Sequence, residues 1–156
     1  MSTIREQIVA AAVTALTTGR PSGVPAPVRT RIDSPTEDQL PAFTVYQAIE
    51  KVEPQHDESK RAAQRGAVVR RRLLLNIEAL TKAATTTTPD KAADPILAWA
   101  SKALVAAGTF SGLTNQAGDE LGTTFEYERK ETSFCRATMA FQFEYQSRTS
   151  DPEVAA

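Results

Sequence analysis

Cysteine is almost absent from this chain. One residue, Cys135, in 156 excludes an intramolecular disulfide framework and points to a reducing, cytosolic site of folding. Histidine is equally scarce. The single His56 lies among Gln55, Asp57 and Glu58, so neither a histidine-based metal cluster nor a His-dependent catalytic triad is legible. The seven glycines are scattered, and neither GxGxxG nor GxxxxGK[ST] occurs, which removes the usual phosphate-cradling loops. No apolar run approaches the ~18 residues that span a bilayer. The first residues carry Arg5 and alanine-rich polar sequence rather than the apolar core of a secretory signal. A soluble protein made in a cytoplasm, without cofactor, is expected.

Charge of one sign is also lacking. Lys and Arg number 18 against 19 Asp and Glu, a net −1, whereas a protein that coats nucleic acid carries a basic excess. The hydrophobic share of 41% is ordinary for a globular chain and too high for wholesale disorder. A length of 156 residues suits one domain, large enough to bury a core without staples.

Periodicity supplies the elements. Thr3 and Glu6 have capping-box spacing, and Ile4, Ile8, Ala11, Ala12, Ala15 and Leu16 fall on one helical face. Gly19 and the prolines at 21, 25 and 27 end that helix. Val28 to Ile32 reads as a short strand, Ser34 to Pro41 as a loop, and Ala42 to Val52 as a second strand. The span from Glu53 to Ala67 is charged and has no apolar period, so a mobile connection is expected. Val68 to Leu80 alternates, with Val69, Leu73, Leu75, Ile77 and Ala79 on one face beside Arg71, and Arg70, Arg72, Asn76 and Glu78 on the other, where Leu74 breaks the polar pattern. A threonine-rich loop precedes a helix predicted to start at Asp94-Pro95 and to bury Ile96, Trp99, Ala100, Ala103 and Leu104. Two alternating runs follow. Leu121 to Tyr127 and Cys135 to Tyr145 are joined by a short connection that favours an antiparallel hairpin.

The predicted fold class is therefore α+β: a single, mostly antiparallel β-sheet with two α-helices packed on one face, in the order α-β-β-β-α-β-β. Residues 1–149 form the one domain, and 150–156 form a frayed tail. The expected core includes Ile8, Val69, Leu73, Leu75, Ile77, Leu104, Met139, Phe141 and Phe143.

Chemistry-bearing residues are few. Cys135 opens an apolar strand face and reads as a small buried hydrophobe rather than a nucleophile. Arg70, Arg71 and Arg72 are consecutive, but on a strand their side chains alternate between faces. Arg70 and Arg72 share one face, and Glu126 and Glu128 are the expected partners in a cross-strand charge ladder. No catalytic set emerges. A structural or interaction protein, not an enzyme, is the expectation.

The chain resembles the tail terminator proteins of long-tailed bacteriophages (minor tail protein U-like). The resemblance rests on the helix TIREQIVAAAVTAL, the strands PAFTVYQAIEKVEP and VVRRRLLLNIEAL, and the helix DPILAWASKAL. It is completed by the closing pair TTFEYERK and CRATMAFQFEYQSRT, with alternating aromatics at Phe141, Phe143 and Tyr145. It implies a virion protein of a siphovirus-type tail, assembled in the host cytoplasm. Such a protein forms a ring, usually hexameric, that caps the head-proximal end of the tail tube and stops its polymerisation. The implied partners are the chain itself, the tail tube protein and a head-tail connector or neck protein, with DNA passing unbound through the channel. Candidate interface residues are Gln55, His56, Asp57, Glu58, Lys60, Arg61 and Arg65 in the connection, with Arg70, Arg72, Glu126 and Glu128 on strands. A neck or tail-completion protein of the same α+β type is the nearest alternative. A small soluble enzyme or ligand-binding domain, with Cys135 or His56 in a pocket, is an alternative of a different class.

Overall fold

The computed structural model describes residues 2–31, 33–54, 68–148 and 151–155. Its elements are α1 (Ile4–Thr17), β1 (Val28–Arg29), β2 (Ala42–Pro54), β3 (Val68–Lys82), α2 (Pro89–Ala106), β4 (Asp119–Arg129), β5 (Ser133–Arg148) and β6 (Asp151–Ala155). The strands lie in the order β1-β2-β3-β5-β4, and β6 also pairs with β5. Every pairing is antiparallel except that of β1 with β2.

Alternation in β3 and β5 decides which face is covered. Leu73, Leu75 and Ile77 pair in register with Phe143, Phe141 and Met139. These residues share one buried cluster with Ile4, Ile8 and Leu16 of α1 and with Ile96, Ala100 and Leu104 of α2. Both helices therefore pack on the same face of the sheet. All nine expected core residues are buried, eight of them in this cluster. The intervening positions, Arg70, Arg72, Asn76 and Glu78 with Thr138, Gln142, Glu144 and Gln146, form an opposite polar face that is only half-buried.

Caps and side-chain bonds set the helices. The Thr3 hydroxyl accepts the Glu6 backbone N–H at 3.2 Å, satisfying one orphan donor of the first turn. The Glu6 carboxylate does not close the reciprocal half of the box. It accepts instead from Arg29 of β1 at 2.7 Å and from Gln47 of β2 at 3.3 Å, tying the helix start to the sheet. Trp99 of α2 donates its indole N–H to the Leu16 carbonyl at 2.8 Å, which serves an unpaired carbonyl in the last turn of α1.

Several boundaries differ from the sequence expectations. The helix predicted to start at Asp94-Pro95 starts at Pro89, with Pro95 inside it. Thr88-Pro89-Asp90 has the same initiating chemistry, with proline pre-set in the first turn. Pro95 lacks the N–H for the Lys91 carbonyl, but both residues are exposed and water can serve that group. The strand predicted from Val28 to Ile32 is confined to Val28–Arg29 and runs parallel to β2. The terminal residues expected to fray include β6, paired with Ser147 and Arg148 of β5. The loop from Ser34 to Pro41 contains a 3-10 turn at Glu37–Gln39, closed by Thr36 and Gln39. The connection predicted to be mobile begins within β2, at Glu53 and Pro54, and its remainder, 55–67, lies outside the described residues.

Candidate assembly interface

Seven of the sequence-predicted interface residues, Gln55, His56, Asp57, Glu58, Lys60, Arg61 and Arg65, lie outside the described residues. The other four occupy the polar face, but not as the expected ladder. Arg70 and Arg72 pair with Glu144 of β5 at 3.3 and 3.5 Å, and Arg72 also reaches Glu53 of β2 at 3.1 Å. Glu126 and Glu128 sit on β4, and β5 separates them from β3. Glu128 bridges Lys130 at 2.9 Å, and Glu126 is in register with Arg136. Strand order decided the partners, and adjacency in sequence carried no information about it.

The feature the sequence did not mark is the exposure of β4. This strand is outermost in the sheet, and ten of its eleven residues are exposed. Phe125 and Tyr127 stand opposite Ala137 and Cys135, so they point to the helix-bearing side. The helices do not reach over them: Leu121 is 56% exposed, Phe125 43% and Tyr127 60%. A long edge strand with large apolar side chains is a ready template for pairing with another chain. Among the described residues the far edge is open as well. β1 covers β2 at Thr44 and Val45, and beyond that point Ile49 and Val52 are 53% and 50% exposed.

Between these edges, at the end of the sheet where β2 meets the start of α1, a polar cluster interrupts the core. A β-bulge between Gln47 and Ile49 shifts the pairing with β3. The shift turns Glu50 to the helix-bearing face. Its carboxylate accepts from the Tyr145 hydroxyl, from Arg71 at 3.1 Å and from Arg5 at 3.5 Å. Arg71 also donates to Ser147 at 2.7 Å. Burial, with the neighbouring Glu50 carboxylate, pushes the Tyr145 hydroxyl above its ordinary range, so this residue acts as a neutral donor. Thr3, Arg5, Glu50, Arg71 and Tyr145 line a cavity of about 250 Å³ there. Two guanidinium groups around one carboxylate form a charge-assisted structural node, with the buried Arg5 Nε left without a partner among the described residues.

Other concave places carry mixed polarity. One of about 480 Å³ lies on the polar face and is lined by Arg31, Asp33, Tyr46, Glu78 and Arg136 among others. Cys135 is fully buried. Burial, then the charges of Asp90 and Asp94, raises its thiol above the ordinary value, which disfavours the nucleophilic thiolate. Among the described residues, no group of three or more His, Cys, Asp or Glu gathers into a metal-holding cluster. No helix of the described residues is long and apolar enough to cross a membrane. No protein-family model matches the chain, and no curated protein matches it.

Proposed function

We propose that this chain is a structural subunit that closes into a ring, ends the polymerisation of a phage tail tube and presents a docking face to a head-side connector. The observation that carries the proposal is β4, an eleven-residue edge strand exposing Leu121, Phe125 and Tyr127. A monomer that stayed alone would leave this edge as an aggregation hazard. A subunit that meets a neighbour buries it. The resemblance to tail terminators supplies the biological setting, with the tube protein and a connector or neck protein as the further partners. In a ring, contacts are head to tail, and closure is what stops growth. The charge balance suits a channel through which DNA slides, because a strongly basic lining would hold the phosphates.

Disrupting the gene tests this reading directly. In the absence of the protein, tails of irregular and excessive length that fail to join heads are expected. Tails of normal length attached to heads would overturn it.

A further inference from the structure

We propose that the two open edges of the sheet join copies of this chain head to tail. Residues 49–54 of β2 in one copy pair antiparallel with residues 123–128 of β4 in the next, with Lys51 opposite Glu126 and Val52 opposite Phe125. The inference rests on the ring reading for closure alone, since the pairing itself follows from the two edges.

Strand direction is the first support. β2 and β5 run one way, β3 and β4 the other. A neighbour in the same orientation therefore presents β2 antiparallel to β4, in the better hydrogen-bonding geometry. Proteins usually blunt such edges with bulges and charges. Here the bulges fall between Gln47 and Ile49 and between Glu120 and Gly122, just outside the two proposed stretches, which are regular.

Side-chain parity is the second support. Lys51 is opposite Arg72 and Glu126 is opposite Arg136, so both belong to the polar face. Val52 is opposite Arg71 and Phe125 is opposite Ala137, so both belong to the helix-bearing face. One register places the lysine against the glutamate on one side and the exposed valine against the exposed phenylalanine on the other. Neither Lys51 nor Glu126 has an ion pair among the described residues. Glu128, the neighbouring carboxylate on that face, is already engaged by Lys130.

Charge also argues against the simplest rival, a two-fold pairing of β4 with itself. β4 carries Asp119, Glu120, Glu126 and Glu128 against one Arg129, and like charges placed opposite one another destabilise a ladder. The head-to-tail pairing has a geometric consequence. Across the sheet Lys51 is level with Arg72, and Glu126 is level with Leu80 through Arg136. Successive copies are thus offset by eight strand positions, about 27 Å at the usual rise, and the strands run steeply tilted to the ring axis, as in closed barrels.

The test uses the purified full chain with Lys51→Cys and Glu126→Cys placed in separate molecules. Directly opposed strand positions are close enough for a disulfide, and the native Cys135 is buried. Mild oxidation of the mixture is expected to link the two variants, while neither links alone. Lys51→Glu and Glu126→Lys should each weaken self-association several-fold in sedimentation, and the double exchange should restore it. Self-linking of Glu126→Cys, equal linking of Lys51→Cys to Glu120→Cys, or no linking at the highest soluble concentration would each overturn the pairing. Overlong tails with unlinked cysteines would sink the edge contact and leave the terminator reading standing. Linked cysteines with normal tails would do the reverse.

Discussion

β4 and β5 are neighbours in one hairpin and carry the same alternating pattern, yet they meet opposite fates. In β5 every apolar residue from Cys135 to Tyr145 on the helix-bearing face is buried. Phe143 packs tilted against Phe110, with ring centroids 5.2 Å apart, and lies 6.2 Å from Phe141. In β4 the matching residues Phe125 and Tyr127 face the same way and remain largely open. The difference is lateral position. β5 lies between β3 and β4 beneath the helices, whereas β4 has a neighbour on one side, and α2 touches it through the Ser101 hydroxyl on Glu120, at 2.7 Å. Alternation states that a strand has two unlike faces. It does not state that the apolar face is covered by the same chain.

Substitutions can break or sharpen this contrast. Phe141→Ala should destabilise the subunit by about 3–5 kcal/mol in chemical denaturation, because it opens a cavity in a closed core. A loss below about 1 kcal/mol would mean that β5 is no more enclosed than β4. Glu50→Ala probes the polar end of the buried strand: Tyr145 and Arg71 lose their shared acceptor, at a cost of about 2–3 kcal/mol for partly buried, charge-assisted bonds. The same node has a pH signature. Tyr145 has its hydroxyl held above its ordinary value of 10.0, so the native state keeps a proton that the unfolded chain releases. Its stabilising contribution is intact below about pH 10 and is lost as pH rises beyond that. Tyr145→Phe should flatten the alkaline limb of a stability-against-pH curve. Smallest of all, Phe125→Ser should move subunit stability by less than about 0.5 kcal/mol while reducing self-association, and unchanged association would remove β4 from the interface.

Much of the layer architecture was legible along the chain. Alternation from Val68 to Leu80 and from Cys135 to Tyr145, broken at Arg71, Leu74 and Ala140, identifies two strands with one covered face, and helical spacing from Ile4 to Leu16 identifies what covers it. Less was legible about boundaries. Pro95 looked like a helix start because proline is favoured there, yet Pro89 satisfies the same preference earlier in the chain. The candidate interface was legible in part. Arg70 and Arg72 are on the polar face as expected, but their partners Glu144 and Glu53 come from the flanking strands rather than from β4. The Glu50 node had no sequence signal, because it depends on a bulge that moves one residue to the opposite face.

Local pattern by itself determined the element types, the unlike faces of the strands and the identity of the core, since those follow from backbone periodicity and the cost of exposing apolar area. Which strand became the edge was decided by the tertiary structure. Strand order arises from long-range pairings such as Leu75 with Phe141, and no local preference of Leu121, Phe125 or Tyr127 records whether a further strand will lie beside them. The same long-range order chose the ion pairs, carried Glu50 to Tyr145 across β3, and left β4 open to a neighbour.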